Sequence, residues 1–134
     1  MSNFKNLTPH EIIFFRTQDT VPGEKGVILL KEGAKPSFSV KSSGLARAST
    51  VVVDGPMLKT GEGSVPTVYT QMGAPEGLPE EVGPDDVIIV SFVTAEAAKA
   101  HNYVHLNNLY TIYGGVRDSA GHIVGCTSLN KVVQ

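Results

Sequence analysis

The residues best suited to chemistry lie in the last third of the chain. Ser91 precedes an alanine-rich segment that begins with Phe92, and Arg117 and Asp118 stand side by side in a later hairpin. Backbone N–H groups at a helix start attract anions, aromatic rings stack on planar bases, and arginine can grip a phosphate through two hydrogen bonds. The pattern predicts a nucleotide pocket without obvious catalytic machinery.

The segment between helix and hairpin adds aromatic and amide groups, which are the side chains that base recognition uses. Asn102 and Tyr103 follow the predicted helix, and more such residues come at Asn107, Asn108, Tyr110 and Tyr113. These neighbours favour ligand binding by Arg117 over the alternative of a surface charge. Arg47 is a further candidate, although at the start of a strand it could equally be an edge charge that prevents aggregation.

Other reactive residues have simpler interpretations. His101 and His105 have the four-residue spacing of some zinc sites, but asparagines weaken the helix there and no glutamate stands between them, which favours solvated or pocket-lining histidines. Cys126 lies in an apolar strand and is expected to be a buried hydrophobe rather than a nucleophile. Asp118 has the alternative of capping its own turn.

Composition limits the classes of function. A chain of 134 residues is expected to form one domain, residues 1–134. The net charge of −2 and scattered lysines argue against binding to long nucleic acids. A single cysteine fits a reducing compartment, and neither a signal peptide nor a long apolar run is evident, so we expect a cytoplasmic protein without a membrane span. No metal or cofactor is expected, since the histidine pair is a weak metal motif and neither a phosphate-binding glycine loop nor a dinucleotide-binding fingerprint is found.

The elements that must position these residues are short strands separated by turns. Strands are predicted over residues 4–7, 11–16, 26–31, 45–54, 67–72 and 87–90, followed by a hairpin that turns at residues 118–121. Residues 35–44 are predicted to be an irregular connection. One main α-helix is predicted near residues 92–101. The fold class is therefore α+β, with a mainly antiparallel, twisted sheet.

Several short motifs together resemble those of small phage and prophage proteins, the first described group of Thoeris anti-defence proteins. They occur in the same order from about Asn6 to Cys126: Asn6 to Ile12, Ala46 to Ser49, Gly77 to Pro79, Ile88 to Ser91, Val116 to Asp118, and Gly121 to Cys126. The resemblance implies a protein that sequesters, without cleavage, the cyclic ADP-ribose isomers made by bacterial TIR-domain proteins. Some members of that family also bind cyclic oligonucleotides at a second site.

The resemblance also implies roles for individual residues. Phe92 would pack on the base, Asn102 would form a hydrogen bond with the ligand, and Arg117 would hold the pyrophosphate. Pockets of the family lie at a dimer interface, and some members form hexamers. A homodimer or larger assembly also fits the size of the chain, since 14.2 kDa offers limited concave surface.

Two other classes remain open at the level of sequence. A phosphodiesterase or glycohydrolase would use His101, His105 or Asp118 as acid and base. A protein-binding inhibitor or phage structural component would use strand edges and the loop of residues 73–86.

Overall fold

The computed structural model describes residues 2–134. They contain twelve strands, one α-helix and three short 3₁₀ helices, which confirms the α+β class and the single main helix. The strands are β1 (Asn3–Asn6), β2 (Ile12–Phe14), β3 (Thr20–Pro22), β4 (Ile28–Leu30), β5 (Phe38–Val40), β6 (Thr50–Asp54), β7 (Leu58–Thr60), β8 (Gly63–Val65), β9 (Val68–Met72), β10 (Asp86–Ile89), β11 (Leu109–Arg117) and β12 (Ile123–Lys131). The helix is α1 (Phe92–Ala100), and the 3₁₀ helices are Thr17–Asp19, Glu24–Gly26 and Leu106–Asn108.

Eight strands form one sheet. Six of them lie in the order β1-β10-β11-β12-β2-β5, and the β3–β4 hairpin joins the sheet because β4 pairs with β11. The long β11–β12 hairpin is antiparallel, as are the β2–β5 and β3–β4 pairs. Strands β10 and β11 are parallel because α1 connects them as a crossover. The helix start therefore lies at the end of a central strand.

The two ends of this sheet meet at Asn6. A bridge joins Asn6 to Ser42, just after β5, and the Ser43 N–H donates to the Asn6 carbonyl at 2.9 Å. The buried Asn6 side chain donates to the carbonyls of His10 (2.8 Å) and Val40 (2.9 Å), and its Oδ1 accepts from the N–H of Thr8 (2.9 Å). One amide thus ties together the strand that begins the sheet and the strand that ends it.

Apolar side chains pack on both faces of the sheet. In β10, Ile88 packs toward α1 and Ile89 packs in the opposite cluster, and both side chains are fully buried. The cluster under the helix contains Leu7, Ala46, Ile88, Val90, Ala95, Ala98 and Leu109, and the opposite cluster contains Ile12, Phe14, Ile89 and Cys126. A strand buried on both faces is continuously apolar, which explains why residues 87–90 gave a strong sequence signal.

Local signals set both ends of α1. The Thr94 N–H donates to the Ser91 hydroxyl at 3.3 Å, so Ser91 is the N-cap, as its residue type predicts. Asn102 adopts a left-handed conformation with φ of 56°, and the Tyr103 N–H donates to the Ala98 carbonyl at 2.9 Å. This hydrogen-bond pattern is the Schellman motif, which ends a helix and satisfies its last carbonyls.

The prediction of an irregular connection over residues 35–44 is wrong at its centre, where β5 lies. The Phe38 ring stacks on the Phe14 ring, with centroids 4.7 Å apart, and Val40 packs against the cluster that contains Phe14. The segment has too little apolar surface for a core of its own, but it needs none because β2 supplies its partner.

Residues 50–72 form a separate two-stranded ribbon. Strand β6 pairs with β9, and the small β7–β8 hairpin lies between them in the chain. The ribbon is attached at its base, where the Gly73 N–H donates to the Ser49 carbonyl at 2.7 Å. Within residues 2–134, no helix combines the length and the apolar character that crossing a bilayer requires.

Candidate functional site

A groove of about 590 Å³ opens at the start of α1. Three separated parts of the chain form it: the loop from β1 to β2, the start of α1, and the β11–β12 hairpin. Its apolar lining is Ile12, Ile13, Val90, Phe92, Ile112, Ile123, Val124, Gly125 and Cys126, and its polar lining is Thr8, His10, Glu11, Ser91, Thr111 and Asn130. A mainly apolar concave site with a few polar groups is typical of small-molecule pockets.

Large apolar side chains stand exposed around this groove. Phe92 is 69% exposed, Ile123 59% and Ile112 49%. These side chains stand beside a concave surface, where they offer apolar contact to a planar ring. Aromatic side chains such as that of Phe92 favour contact with another ring. Phe92 is thus an exposed aromatic ring on the rim of the groove.

The charges of the groove are unevenly distributed. The first turn of α1 presents backbone N–H groups, which favour an anion. Among the lining residues, however, Glu11 is the one member of the Asp, Glu, Lys and Arg group, and it is acidic. A phosphate-bearing ligand therefore needs a cation from outside the lining.

Arg117 is the predicted ligand-binding cation that neighbours a lining residue of the groove. It pairs across the hairpin with groove-lining Ile123, and its Nη1 donates to the Gly121 carbonyl at 2.7 Å. The ion pairs found among residues 2–134 do not include Arg117. Since guanidinium carries five N–H donors, most of its hydrogen-bonding capacity is left for a ligand.

Asp118 caps the hairpin turn. Its Oδ1 accepts hydrogen bonds from the N–H groups of Ala120 and His122, both at 3.0 Å. Capping of its own turn, the alternative that the sequence offered, therefore accounts for these contacts of Asp118 within the protomer. Its binding to a ligand remains a prediction.

Asn102 and Tyr103 lie at the other end of α1. Ten residues separate Phe92 from Asn102, about 15 Å along a helix. Both residues line a second hollow, of about 380 Å³, together with the Gly77–Pro79 loop. The Tyr103 hydroxyl donates to the Pro79 carbonyl at 2.5 Å, and burial raises the pKa of this phenol. One protomer therefore does not bring Phe92 and Asn102 together.

Arg47 lines neither the groove nor the second hollow. Its backbone N–H donates to the Glu76 carbonyl at 2.9 Å, in a bridge that lies before β6 begins. Neighbouring Ala46 is buried under α1, where its carbonyl accepts a hydrogen bond from Thr94 Oγ1 at 3.3 Å. Arg47 is therefore held near the helix flank, outside the groove lining.

The histidines make separate structural contacts. His101 Nε2 lies 2.9 Å from the Met72 carbonyl, and His105 Nε2 lies 2.9 Å from the Glu80 carbonyl. A carbonyl only accepts hydrogen bonds, so Nε2 carries the proton in both rings. Helix α1 ends at Ala100, and residues 2–134 contain no cluster of three or more metal-ligating side chains.

Cys126 lines the floor of the groove but is 1% exposed. Burial raises the pKa of its thiol, which lowers the thiolate fraction at neutral pH. We expect alkylation by a thiol reagent to be at least about tenfold slower in the folded protein than in concentrated urea. Equal rates, followed by absorbance, would contradict this assignment of Cys126 to the core.

The sequence interpretation missed the N-terminal wall of the groove. His10 and Ile12 reach it because the sheet closes at Asn6, and no local signal marks that long-range contact. Comparisons of the chain with protein-family models, curated proteins and solved structures found no match. Function is therefore inferred from the groove and from the sequence motifs.

Proposed function

We propose that this protein binds cyclic ADP-ribose isomers made by TIR-domain proteins and sequesters them uncleaved. It acts in the cytoplasm of a bacterial host as a phage anti-defence protein that blocks Thoeris immunity. The observation that carries the proposal is the apolar groove at the helix start, with Phe92 exposed on its rim. The resemblance of the motifs between Asn6 and Cys126 supplies the class of ligand.

The groove has the features that such a ligand needs. Phe92 and Ile112 offer apolar contact to a base, and the first turn of α1 favours phosphate oxygens. Arg117, beside the groove, supplies the missing positive charge. Base stacking and a charged hydrogen bond to phosphate each contribute about 1–3 kcal/mol.

Sequestration requires slow release of the ligand, with no stabilisation of a transition state. His101, His105 and Asp118, the residues that a hydrolase would most readily use, are engaged with backbone groups. These contacts favour a binding protein over a phosphodiesterase or glycohydrolase. In the test, the ligand is incubated with excess protein, the protein is denatured, and the released ligand is analysed by chromatography. We expect to recover intact ligand, and a cleaved product would refute sequestration.

The separation of Phe92 from Asn102 favours a site shared between copies. In a homodimer, or a hexamer built from dimers, Asn102 and Tyr103 of one protomer can approach the groove of another. Such a shared pocket would enclose more of a dinucleotide-sized ligand than one protomer can. Cyclic oligonucleotides are a further ligand class that the resemblance suggests.

The ligand site can be tested with matched arginine variants. Arg117→Ala should weaken binding of a cyclic ADP-ribose isomer about tenfold to a hundredfold in calorimetric titration, because a charged hydrogen bond is lost. Arg16→Ala is the control, since Arg16 is exposed and pairs with Asp19 away from the groove. Phe92→Ala should cause a similar loss of affinity, because stacking on the base is lost. Unchanged affinity in both groove variants would refute the assigned site.

A thermal shift separates this proposal from a protein-binding inhibitor. Ligand at 100 times its dissociation constant should stabilise the folded protein by about 2.7 kcal/mol. A protein that only contacts other proteins would show no shift with these nucleotides.

A further inference from the structure

Two polar side chains of the groove have no hydrogen-bond partner in the protein. Thr111 on β11 and Asn130 on β12 both line the groove. Neither the Thr111 hydroxyl nor the Asn130 amide takes part in a side-chain hydrogen bond among residues 2–134. Both groups therefore keep their full hydrogen-bonding capacity for a ligand.

The surroundings of Thr111 make this lack of a partner informative. Thr111 is only 8% exposed, and an unsatisfied polar group in such a place lowers stability. Every fully enclosed side-chain nitrogen or oxygen in residues 2–134 has a hydrogen-bond partner. The Thr111 hydroxyl is therefore not fully enclosed, and it is open to the groove that this residue lines. Valine would fill the same space without a hydroxyl, so packing alone does not explain a threonine here.

Thr111 and Asn130 form a pair because the hairpin places them opposite each other. They are direct partners in the antiparallel register of β11 and β12. Directly opposite residues have their side chains on the same face of the sheet, with Cβ atoms about 4.5–5.5 Å apart. At this separation one planar group can contact both side chains.

Apolar residues lie beside this pair, on the side where α1 begins. The Val90 N–H donates to the carbonyl of Tyr110, the residue before Thr111, at 2.9 Å. Val90, Phe92 and Ile112 all line the groove. A purine base matches this arrangement, because its faces are apolar and its edge carries donors and acceptors, whereas a ribose offers no flat apolar face.

We propose that Asn130 and Thr111 recognise the edge of an adenine base bound in the groove. Asn130 accepts from the exocyclic amine through Oδ1 and donates to the ring nitrogen N7 through Nδ2, which is the bidentate pairing of asparagine with adenine. The Thr111 hydroxyl, which can donate or accept, adds a further hydrogen bond to the base. This assignment rests on the proposed nucleotide ligand and adds the residues that select its base.

The test compares two bases by calorimetric titration. The probes are one cyclic ADP-ribose isomer and its hypoxanthine analogue, in which a carbonyl oxygen replaces the amine. The unmodified chain should bind the adenine form about tenfold to a hundredfold more tightly, because the carbonyl oxygen would face Asn130 Oδ1. Asn130→Ala should bring the two affinities to within about threefold of each other, since the group that distinguishes the bases is gone.

Thr111→Val removes only the hydroxyl and should weaken binding of the adenine form about threefold to tenfold. Asn107→Ala and Thr70→Val are the matched controls, because both residues are exposed and lie outside the groove. Neither control should change the affinity or the preference for adenine. Circular dichroism should show all four variants folded.

Equal affinity of the unmodified chain for the two probes would overturn this assignment and leave the nucleotide proposal intact. Asn130→Ala and Thr111→Val variants that keep both the affinity and the preference for adenine would overturn it in the same way. An unmodified chain that binds neither probe would refute the proposed function, and this inference with it.

Discussion

Replacing Asn6 with leucine should lower the free energy of unfolding by about 4 kcal/mol, because several buried polar groups lose their partners at once. The carbonyls of His10 and Val40 and the N–H of Thr8 all depend on this amide. Leucine is similar in size but can neither donate nor accept a hydrogen bond. Since a domain has only about 5–15 kcal/mol of stability, the loss should be visible as a large shift in the urea midpoint.

The matched control for this substitution is Asn107→Leu. Asn107 is exposed, and its side chain makes no hydrogen bond with the part of the chain that the structure describes. We expect a change below about 0.5 kcal/mol there. If the two variants had equal stabilities, closure of the sheet through the Asn6 amide would not be an important source of stability.

Replacing Gly77 with alanine should destabilise the protein by about 3 kcal/mol or more. Gly77 has φ of +87°, and an added Cβ would overlap the Leu45 carbonyl and lie 3.1 Å from the Ala46 Cα. Both neighbours are backbone atoms, so the loop must move away from the segment that carries Arg47. The cost therefore adds steric overlap to left-handed strain.

Gly33→Ala separates these two contributions. Gly33 has a similar φ of +78°, but no atom lies within 4 Å of an added Cβ. Left-handed strain alone should cost about 1–2 kcal/mol. Urea denaturation should therefore rank Gly77→Ala well above Gly33→Ala, and the reverse order would show that the Gly77 loop adapts without strain.

The elements with local signals were predictable from sequence. Ser91 and the alanines that follow it specify a helix start through capping and propensity, and both are properties of a few adjacent residues. The turn at residues 118–121 was predicted in the same way, because glycine permits its left-handed φ and Asp118 caps its own backbone. Two strands of the main sheet, β3 and β5, were not predicted. Each depends on a partner elsewhere in the sheet, since β3 pairs with β4 and Phe38 of β5 stacks on Phe14 of β2.

The candidate site was less predictable. The residue types around Phe92 and Arg117 suggested a nucleotide, and both residues lie in or beside the groove. Asn102, Tyr103 and Arg47 were grouped with them because they are near in sequence or similar in type. The structure separates them within one protomer, since a helix places residues ten positions apart at opposite ends.

The helix, its two ends, the hairpin turn and most of the strands could be predicted without the structure, because these depend on interactions between residues close in the chain. Three features became evident only in the folded chain: the sheet closes at Asn6, the N-terminal loop forms a wall of the groove, and residues 50–72 form an exposed ribbon. These features arise from pairing between strands that are distant in the sequence. Pairing of that kind depends on the whole arrangement of the chain, and no short motif encodes it.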